Sequence, residues 1–140
     1  MLPKVLVLDD DTNILAAFED FFEKERCTMV ATSTAEEAMK LIENQHFDLL
    51  ITDIRLKSNS GVTLFLNARI IRPHLPIIVI TGYPESIDES TLKSIGADFL
   101  LLKPLELDKL RHAVRACLER KNFDTSDRSG ITTKPRKEQL

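Results

Sequence analysis

Three consecutive aspartates, Asp9, Asp10 and Asp11, directly follow the first aliphatic run of the sequence. Like charges a few ångströms apart repel each other by several kcal/mol at an effective dielectric of about 20. A helix N-cap needs only one side-chain acceptor, for which Asp11, Thr12 and Asn13 are the candidates, so capping accounts for at most one of the three carboxylates. The other two carboxylates remain unexplained by capping, and they predict a positive charge among them.

Single polar residues mark the ends of three later aliphatic runs: Asp53, Thr81 with Gly82, and Lys103 with Pro104. Carboxylates with open positions suit a divalent cation that prefers oxygen ligands, and Mg²⁺ is usual where phosphate is handled. A structural salt bridge would explain a lysine among carboxylates. It would not explain chemically capable residues at four run ends, which favours a functional site.

These residues follow short aliphatic runs that alternate with stretches of helical period. Four of the five runs are apolar almost throughout, as is typical of parallel strands buried on both faces. The runs are residues 4–8, 28–32, 48–52, 77–81 and 98–102, of which the second is the less apolar one.

Five apolar helix faces occupy the intervals and the end of this pattern. They comprise Ile14, Leu15, Phe18, Phe21 and Phe22; Ala38, Leu41 and Ile42; Leu64, Phe65, Ala68 and Ile71; Ile87, Leu92 and Ile95; and Leu107, Leu110, Val114, Cys117 and Leu118. Repeated strand–helix units predict an α/β fold, a doubly wound five-stranded parallel sheet flanked by five helices. The ligand site of such a sheet lies at the carboxyl ends of the strands, where the polar residues converge.

Composition bounds the class of protein. The 140 residues, 43% hydrophobic and 29% charged, fit one globular domain, and a net charge of −3 argues against a large nucleic-acid footprint. No aliphatic run approaches the roughly 20 residues of a membrane span, so we expect a cytoplasmic protein without a membrane partner. Cys27 and Cys117 are too few for a disulfide framework, and we expect both to be reduced thiols in or near the core.

Over residues 3–121 the chain resembles the receiver domain of two-component response regulators, which has a (βα)5 flavodoxin-like fold. The resemblance rests on Asp9-Asp10 after the first strand, Asp53 after the third, Thr81-Gly82 after the fourth and Lys103-Pro104 after the fifth. Gly61 stands where receivers turn into their third helix. We therefore predict a receiver domain at residues 1–121 and a flexible tail or linker at 122–140.

The resemblance implies a role for each matched residue. Asp53 would accept a phosphoryl group from a phosphohistidine of a sensor histidine kinase or a histidine phosphotransfer protein. Asp10, Asp53 and the backbone carbonyl of Arg55 would bind Mg²⁺ directly, and Asp9 would act mainly through a bound water. Lys103 and Thr81 would contact the phosphoryl oxygens, Gly82 would leave room for them, and the Lys103–Pro104 peptide bond is expected to be cis.

A receiver of this kind is a signalling domain and not an enzyme in the usual sense, although it contributes to its own phosphorylation and dephosphorylation. Its output would pass to a downstream protein, or to an output domain outside this sequence, and not directly to nucleic acid. The surface expected to switch comprises the fourth helix, fifth strand and fifth helix. Leu100 takes the position where many receivers have an aromatic switch residue, which favours an aliphatic repacking instead.

Two alternatives remain at this point. The aspartates after the first strand also resemble the first motif of haloacid-dehalogenase-like phosphatases, with Asp9 as nucleophile and Asp11 as acid/base. However, Thr12 comes one position too early for that motif, and Asp53 would have no role. The other alternative is a receiver-fold module that works by binding, without phosphorylation.

Overall fold

In the computed structural model, strands and helices alternate from the first strand to the fourth, as the sequence predicts. Residues 1–54, 61–82, 90, 93 and 96–127 are described, without the side chains of 61, 62 and 121–127. The strands are β1 (Lys4–Leu8), β2 (Thr28–Thr32), β3 (Leu49–Asp53), β4 (Ile77–Thr81) and β5 (Phe99–Leu102). The helices are α1 (Thr12–Lys24), α2 (Ala35–Asn44), α3 (Gly61–Ile71) and the C-terminal helix, here α4 (Leu107–Asp127).

The five strands form one parallel sheet in the order β2-β1-β3-β4-β5, which confirms the predicted fold class. The third strand begins one residue later than predicted and includes Asp53, which pairs with Ile80 of β4. Asp48, predicted to open that strand, instead accepts the Lys4 N–H with its carboxylate at 2.9 Å.

Alternate residues of the strands pack into two hydrophobic cores, one on each face of the sheet. Leu6 and Leu8 of β1 pack in the core formed with α2 and α3. Val5 and Val7 pack in the core formed with α1 and α4. A strand buried on both faces must be apolar at every position, which explains the uninterrupted aliphatic run.

The edge strand β5 departs from the predicted complete burial. Its first three residues are half-buried and Leu102 is 49% exposed, because β5 has only one neighbouring strand. Leu100 packs against the α2/α3 core and Phe99 against the opposite core, so these neighbours face opposite sides of the sheet as expected.

The helix boundaries follow their capping residues. Of the three candidate caps, it is Asp11 that caps α1, by accepting the N–H groups of Asn13 at 2.9 Å and Ile14 at 3.4 Å. The third helix begins at the predicted Gly61. Gly96, at a φ of +117°, forms the turn before β5, where its N–H donates to the Lys93 carbonyl at 3.1 Å.

Two predicted core positions are wrong. Leu107 is 58% exposed because it opens α4 at the edge of the packed face, and Ile71 is 36% exposed because it ends α3. Ile87, Leu92 and Ile95, the apolar face of the predicted fourth helix, lie outside the described residues. The cysteines are free as expected, Cys27 half-buried and Cys117 buried.

The C-terminal helix is longer than predicted. It continues to Asp127, so residues 122–127, assigned from the sequence to a flexible tail, are helical. Residues 128–140 lie outside the described part of the chain, and a domain boundary at residue 121 stays a prediction. Among the described helices, none is both long enough and apolar enough to cross a bilayer.

Candidate functional site

The acidic residues meet where the strand order of the sheet reverses. β1 and β3 are hydrogen-bonded neighbours, and the chain leaves them toward opposite faces of the sheet. Asp9 and Asp10 follow β1, and Asp53 ends β3. Such a switch point opens a crevice at the carboxyl ends of the strands, so the fold itself brings these three residues together.

The three carboxylates form a compact cluster. One oxygen from each of Asp9, Asp10 and Asp53 lies within 4.8 Å of the others. Asp9 is fully buried, Asp53 is 3% exposed and Asp10 is half-buried. At these separations the repulsion between the carboxylates is on the order of kcal/mol, and not of tenths of a kcal/mol. The cluster therefore needs positive charge to stay compact.

Lys103 supplies part of that charge. Its Nζ lies 2.8 Å from Oδ2 of Asp53 and 3.1 Å from Oδ2 of Asp9, and four-fifths of its side chain is buried. The Lys103–Pro104 peptide bond is cis, as predicted. The structure therefore confirms that the ends of β1, β3 and β5 converge, with the lysine between two of the three carboxylates.

Burial and pairing act in opposite directions on the ionisable groups. Burial raises the pKa of Asp9 above its usual value, although the Asp11 N–H, 2.9 Å from its Oδ1, and the ammonium of Lys103 both oppose the rise. Burial lowers the pKa of Lys103, but its contacts with Asp53 and Asp9 outweigh this and raise it overall. The lysine is thus firmly cationic at neutral pH.

One oxygen of the cluster has an incomplete environment. Oδ2 of Asp9 is buried and accepts no hydrogen bond of good geometry from the described residues, although Lys103 lies beside it. A buried carboxylate oxygen of this kind is costly unless a donor or a cation completes it. Three adjacent carboxylates are the hard oxygen donors that Mg²⁺ prefers, so the residues fit that ion. Arg55, the predicted carbonyl ligand, lies outside the described residues.

Thr81 and Gly82 lie at the end of β4, beside the acidic cluster. Thr81 is fully buried and pairs with Leu102, the residue before Lys103. The Lys103 N–H donates to the Thr81 carbonyl at 2.8 Å, which fixes the two strand ends to each other. A Cβ added at Gly82 would lie 3.8 Å from the Lys103 side chain, an ordinary contact distance.

One residue near the cluster, Thr32, was assigned from the sequence only to a strand. It ends β2 and is 3% exposed, and its carbonyl accepts the Asp9 N–H at 3.2 Å. The sequence signal was weak, because threonine is common in strands. What could have pointed to Thr32 is its position at the carboxyl end of a strand, on the same edge of the sheet as the other polar residues.

Comparison with known proteins identifies relatives of the whole receiver-like region. The family model of the response regulator receiver domain matches residues 5–115. The regulatory protein VanR of Enterococcus faecium is 35% identical over 120 residues, covering 86% of this chain and 52% of VanR. The alginate biosynthesis transcriptional regulatory protein AlgB of Pseudomonas aeruginosa is 29% identical, covering 83% of this chain and 26% of its own length. The chain thus spans about half of one relative and a quarter of the other.

Two solved receiver-domain structures match this chain over almost their whole length. The CheY-like response regulator receiver domain protein from Methanospirillum hungatei JF-1 matches with a TM-score of 0.82 at 31% identity. The match covers 89% of this chain and 99% of that one. A response regulator receiver domain protein from Clostridium thermocellum matches with a TM-score of 0.80 at 27% identity, over 87% of this chain and 98% of that one.

Proposed function

Because the chain belongs to the response regulator receiver domain family of two-component systems, we propose that it accepts a phosphoryl group on Asp53 in a Mg²⁺-dependent reaction. The observation that carries this proposal is the position of Asp53 between an acidic pair and a lysine. Its Oδ2 lies 2.8 Å from Lys103 Nζ, and its carboxylate belongs to the cluster with Asp9 and Asp10.

In the proposed reaction, a carboxylate oxygen of Asp53 attacks the phosphorus of a phosphohistidine. The new O–P bond forms as the N–P bond breaks, which leaves an acyl phosphate on Asp53 and releases the histidine ring nitrogen. Most of the catalytic contribution in phosphoryl transfer is positioning and charge stabilisation. β3 supplies the positioning, because Asp53 is held in the sheet by its pairing with Ile80.

Charge stabilisation falls to Lys103 and to the metal ligands. Mg²⁺, held by Asp10, Asp53 and the Arg55 carbonyl, with Asp9 acting through water, would offset negative charge on the transferred oxygens. Lys103 already contacts Asp53 and keeps its proton. Its ammonium group can therefore pair with the phosphoryl oxygens once the group has been transferred. Thr81 would donate its hydroxyl to a phosphoryl oxygen after transfer.

The phosphatase alternative fits this site poorly. It needs the Asp11 carboxylate as an acid/base, but that carboxylate is exposed and accepts two backbone N–H groups at the start of α1. It would also leave Asp53 without a role, although Asp53 contacts Lys103 at 2.8 Å in the same cluster. A receiver-fold module that works by binding alone shares the fold, and a phosphorylation assay separates it from our proposal.

The proposed partners are a sensor histidine kinase or histidine phosphotransfer protein as donor, and a downstream protein or an output domain as receiver of the signal. The curated relatives named above are longer regulatory proteins, which supports an output segment outside this sequence. We propose that neither nucleic acid nor membrane binds this domain directly, and that it acts in the cytoplasm.

The assay incubates the chain with acetyl phosphate, with and without Mg²⁺, and measures its intact mass. We expect one added phosphoryl group with Mg²⁺, and none with Asp53→Asn. Asp11→Asn is the matched control, because it removes a neighbouring carboxylate but keeps an acceptor for the helix cap. A chain that takes no phosphoryl group from acetyl phosphate or any phosphohistidine donor would favour the binding module.

A further inference from the structure

Five buried polar residues are found in the described part of the chain: Asp9, Thr32, Thr52, Asp53 and Thr81. The proposed function uses Asp9, Asp53 and Thr81. The Thr52 hydroxyl donates to the neighbouring carbonyl of Asp53 at 3.2 Å, within its own strand. Thr32 remains, and its hydroxyl donates a hydrogen bond to Glu37 in α2.

The contacts of Thr32 replace one of the two hydrogen bonds of a capping box. Thr34 caps α2, accepting the Glu37 N–H at 3.2 Å, and Glu37 stands three residues later, the spacing of a capping box. In such a box the Glu37 carboxylate would accept the Thr34 N–H. Here that N–H approaches Thr32 Oγ1 at 3.4 Å, and Glu37 instead accepts a hydrogen bond from the Thr32 hydroxyl.

The other side of Thr32 leads to the acidic cluster. Its carbonyl accepts the Asp9 N–H at 3.2 Å, next to the Leu8–Thr32 pair that ends the β1/β2 ladder. Asp9 in turn accepts the Asp11 N–H on Oδ1 and contacts Lys103 through Oδ2. The first turn of α2 is therefore connected to a proposed member of the metal site by a chain of three hydrogen-bonded residues: Glu37, Thr32 and Asp9.

We propose that Thr32 is a positioning residue for the Mg²⁺ site, held in place by Glu37; this rests on the proposed function. A hydroxyl bonded to a carboxylate is a strong, charge-assisted anchor. It fixes the end of β2, and through the Thr32 carbonyl it fixes the backbone that aims Asp9. Without the hydroxyl, Glu37 is released to form the ordinary capping box with Thr34, so α2 keeps its cap while Asp9 loses its anchor.

This arrangement separates metal affinity from stability. Partners of metal ligands typically change affinity by 10- to 100-fold, and Thr32 acts one step further away, through the backbone. We therefore expect about a three- to tenfold loss of Mg²⁺ affinity in Thr32→Val, which has nearly the same shape. The coupling free energy is reciprocal, so Mg²⁺ should in turn strengthen the contact between Thr32 and Glu37. We expect this to shift the amide resonances of Thr34 and Glu37 in the unsubstituted chain.

The test measures Mg²⁺ affinity by calorimetric titration of the full chain. Thr32→Val and Glu37→Ala should both bind Mg²⁺ about three- to tenfold more weakly, whereas Thr32→Ser, which keeps the hydroxyl, should bind like the unsubstituted chain. Glu36→Ala is the matched control, because Glu36 lies in the same helical turn and carries the same charge. It should leave the affinity unchanged.

Each contrary result has a distinct meaning. Equal affinities in Thr32→Val and the unsubstituted chain would overturn the positioning role and leave the proposed function intact. An equal loss of Mg²⁺ affinity in Glu36→Ala and Glu37→Ala would overturn the positioning role too. The loss would then come from removing a negative charge at long range, and not from the contact with Thr32. If Thr32→Val fails to fold, Glu37→Ala and the amide shifts decide. Absence of Mg²⁺ binding by the unsubstituted chain would overturn the proposed function and the inference with it.

Discussion

Replacing Asp10 by asparagine should stabilise the metal-free protein and abolish most of its response to Mg²⁺. The carboxylates of Asp9, Asp10 and Asp53 lie within 4.8 Å of one another. At that distance a pair repels by about 3.5 kcal/mol at an effective dielectric of 20, and by about 0.9 kcal/mol in water. Asp10 is half-buried, so the lower part of this range applies to its two pairs.

The cation of Lys103 offsets part of this repulsion. We expect a net gain of about 1 kcal/mol in the free energy of unfolding of metal-free Asp10→Asn, or about 4 °C in melting temperature for a domain of this size. For the unsubstituted protein, Mg²⁺ at 100 times its Kd should add about 2.7 kcal/mol, or about 11 °C. The stabilisation should keep growing with concentration.

Thermal unfolding followed by circular dichroism, with Mg²⁺ varied at constant ionic strength, measures both effects. Asp11→Asn is the control, since it changes the net charge equally while its asparagine can still cap α1. If Mg²⁺ leaves the unsubstituted protein unchanged while Asp10→Asn stabilises it, the cluster is strained but binds no metal. If Asp11→Asn stabilises as much as Asp10→Asn, net charge and not the cluster is responsible.

Three further predictions concern the scaffold. Hydrogen bonds from Arg115, reinforced by Arg111, hold the pKa of Glu25 below its usual value. The stability that the Glu25 carboxylate contributes is therefore present above about pH 4.5 and is lost as the pH falls through the lowered pKa. The difference in unfolding free energy between the unsubstituted chain and Glu25→Gln should therefore vanish in acid, and a constant difference would contradict it. Phe65→Ala, in the core against α2, should cost about 3–5 kcal/mol in urea unfolding, against less than about 0.5 kcal/mol for an alanine at the 76% exposed Ile70; equal costs would refute the packing described. Burial raises the pKa of Cys117 to about 12, so mass spectrometry after iodoacetamide at pH 8 should find it unmodified in the native chain and modified after denaturation.

The sequence was sufficient to predict the sheet and the members of the acidic site. Both follow from a simple geometric rule, because the carboxyl ends of parallel strands meet at one edge. Asp9, Asp53 and Lys103 are far apart in sequence, yet each follows or ends an aliphatic run. Their convergence therefore needed only the strand assignments and not the details of packing.

The contacts inside the site could not be read from the sequence. The spacing of Thr34 and Glu37 fits a capping box, but the Glu37 carboxylate bonds to Thr32 instead. Both arrangements satisfy local chemistry, and the choice depends on where the end of β2 lies relative to α2. The exposed Leu107 shows the same limit, since an apolar residue in helical register can still lie beyond the edge of the packed face.

The most direct test of the central claim locates the phosphoryl group. After reaction with acetyl phosphate and Mg²⁺, borohydride reduces an aspartyl phosphate to homoserine, and peptide mass spectrometry identifies the reduced position. We predict reduction at position 53 alone, and none when Mg²⁺ is withheld. Reduction at position 9, persisting in Asp53→Asn, would contradict the account and favour the phosphatase chemistry.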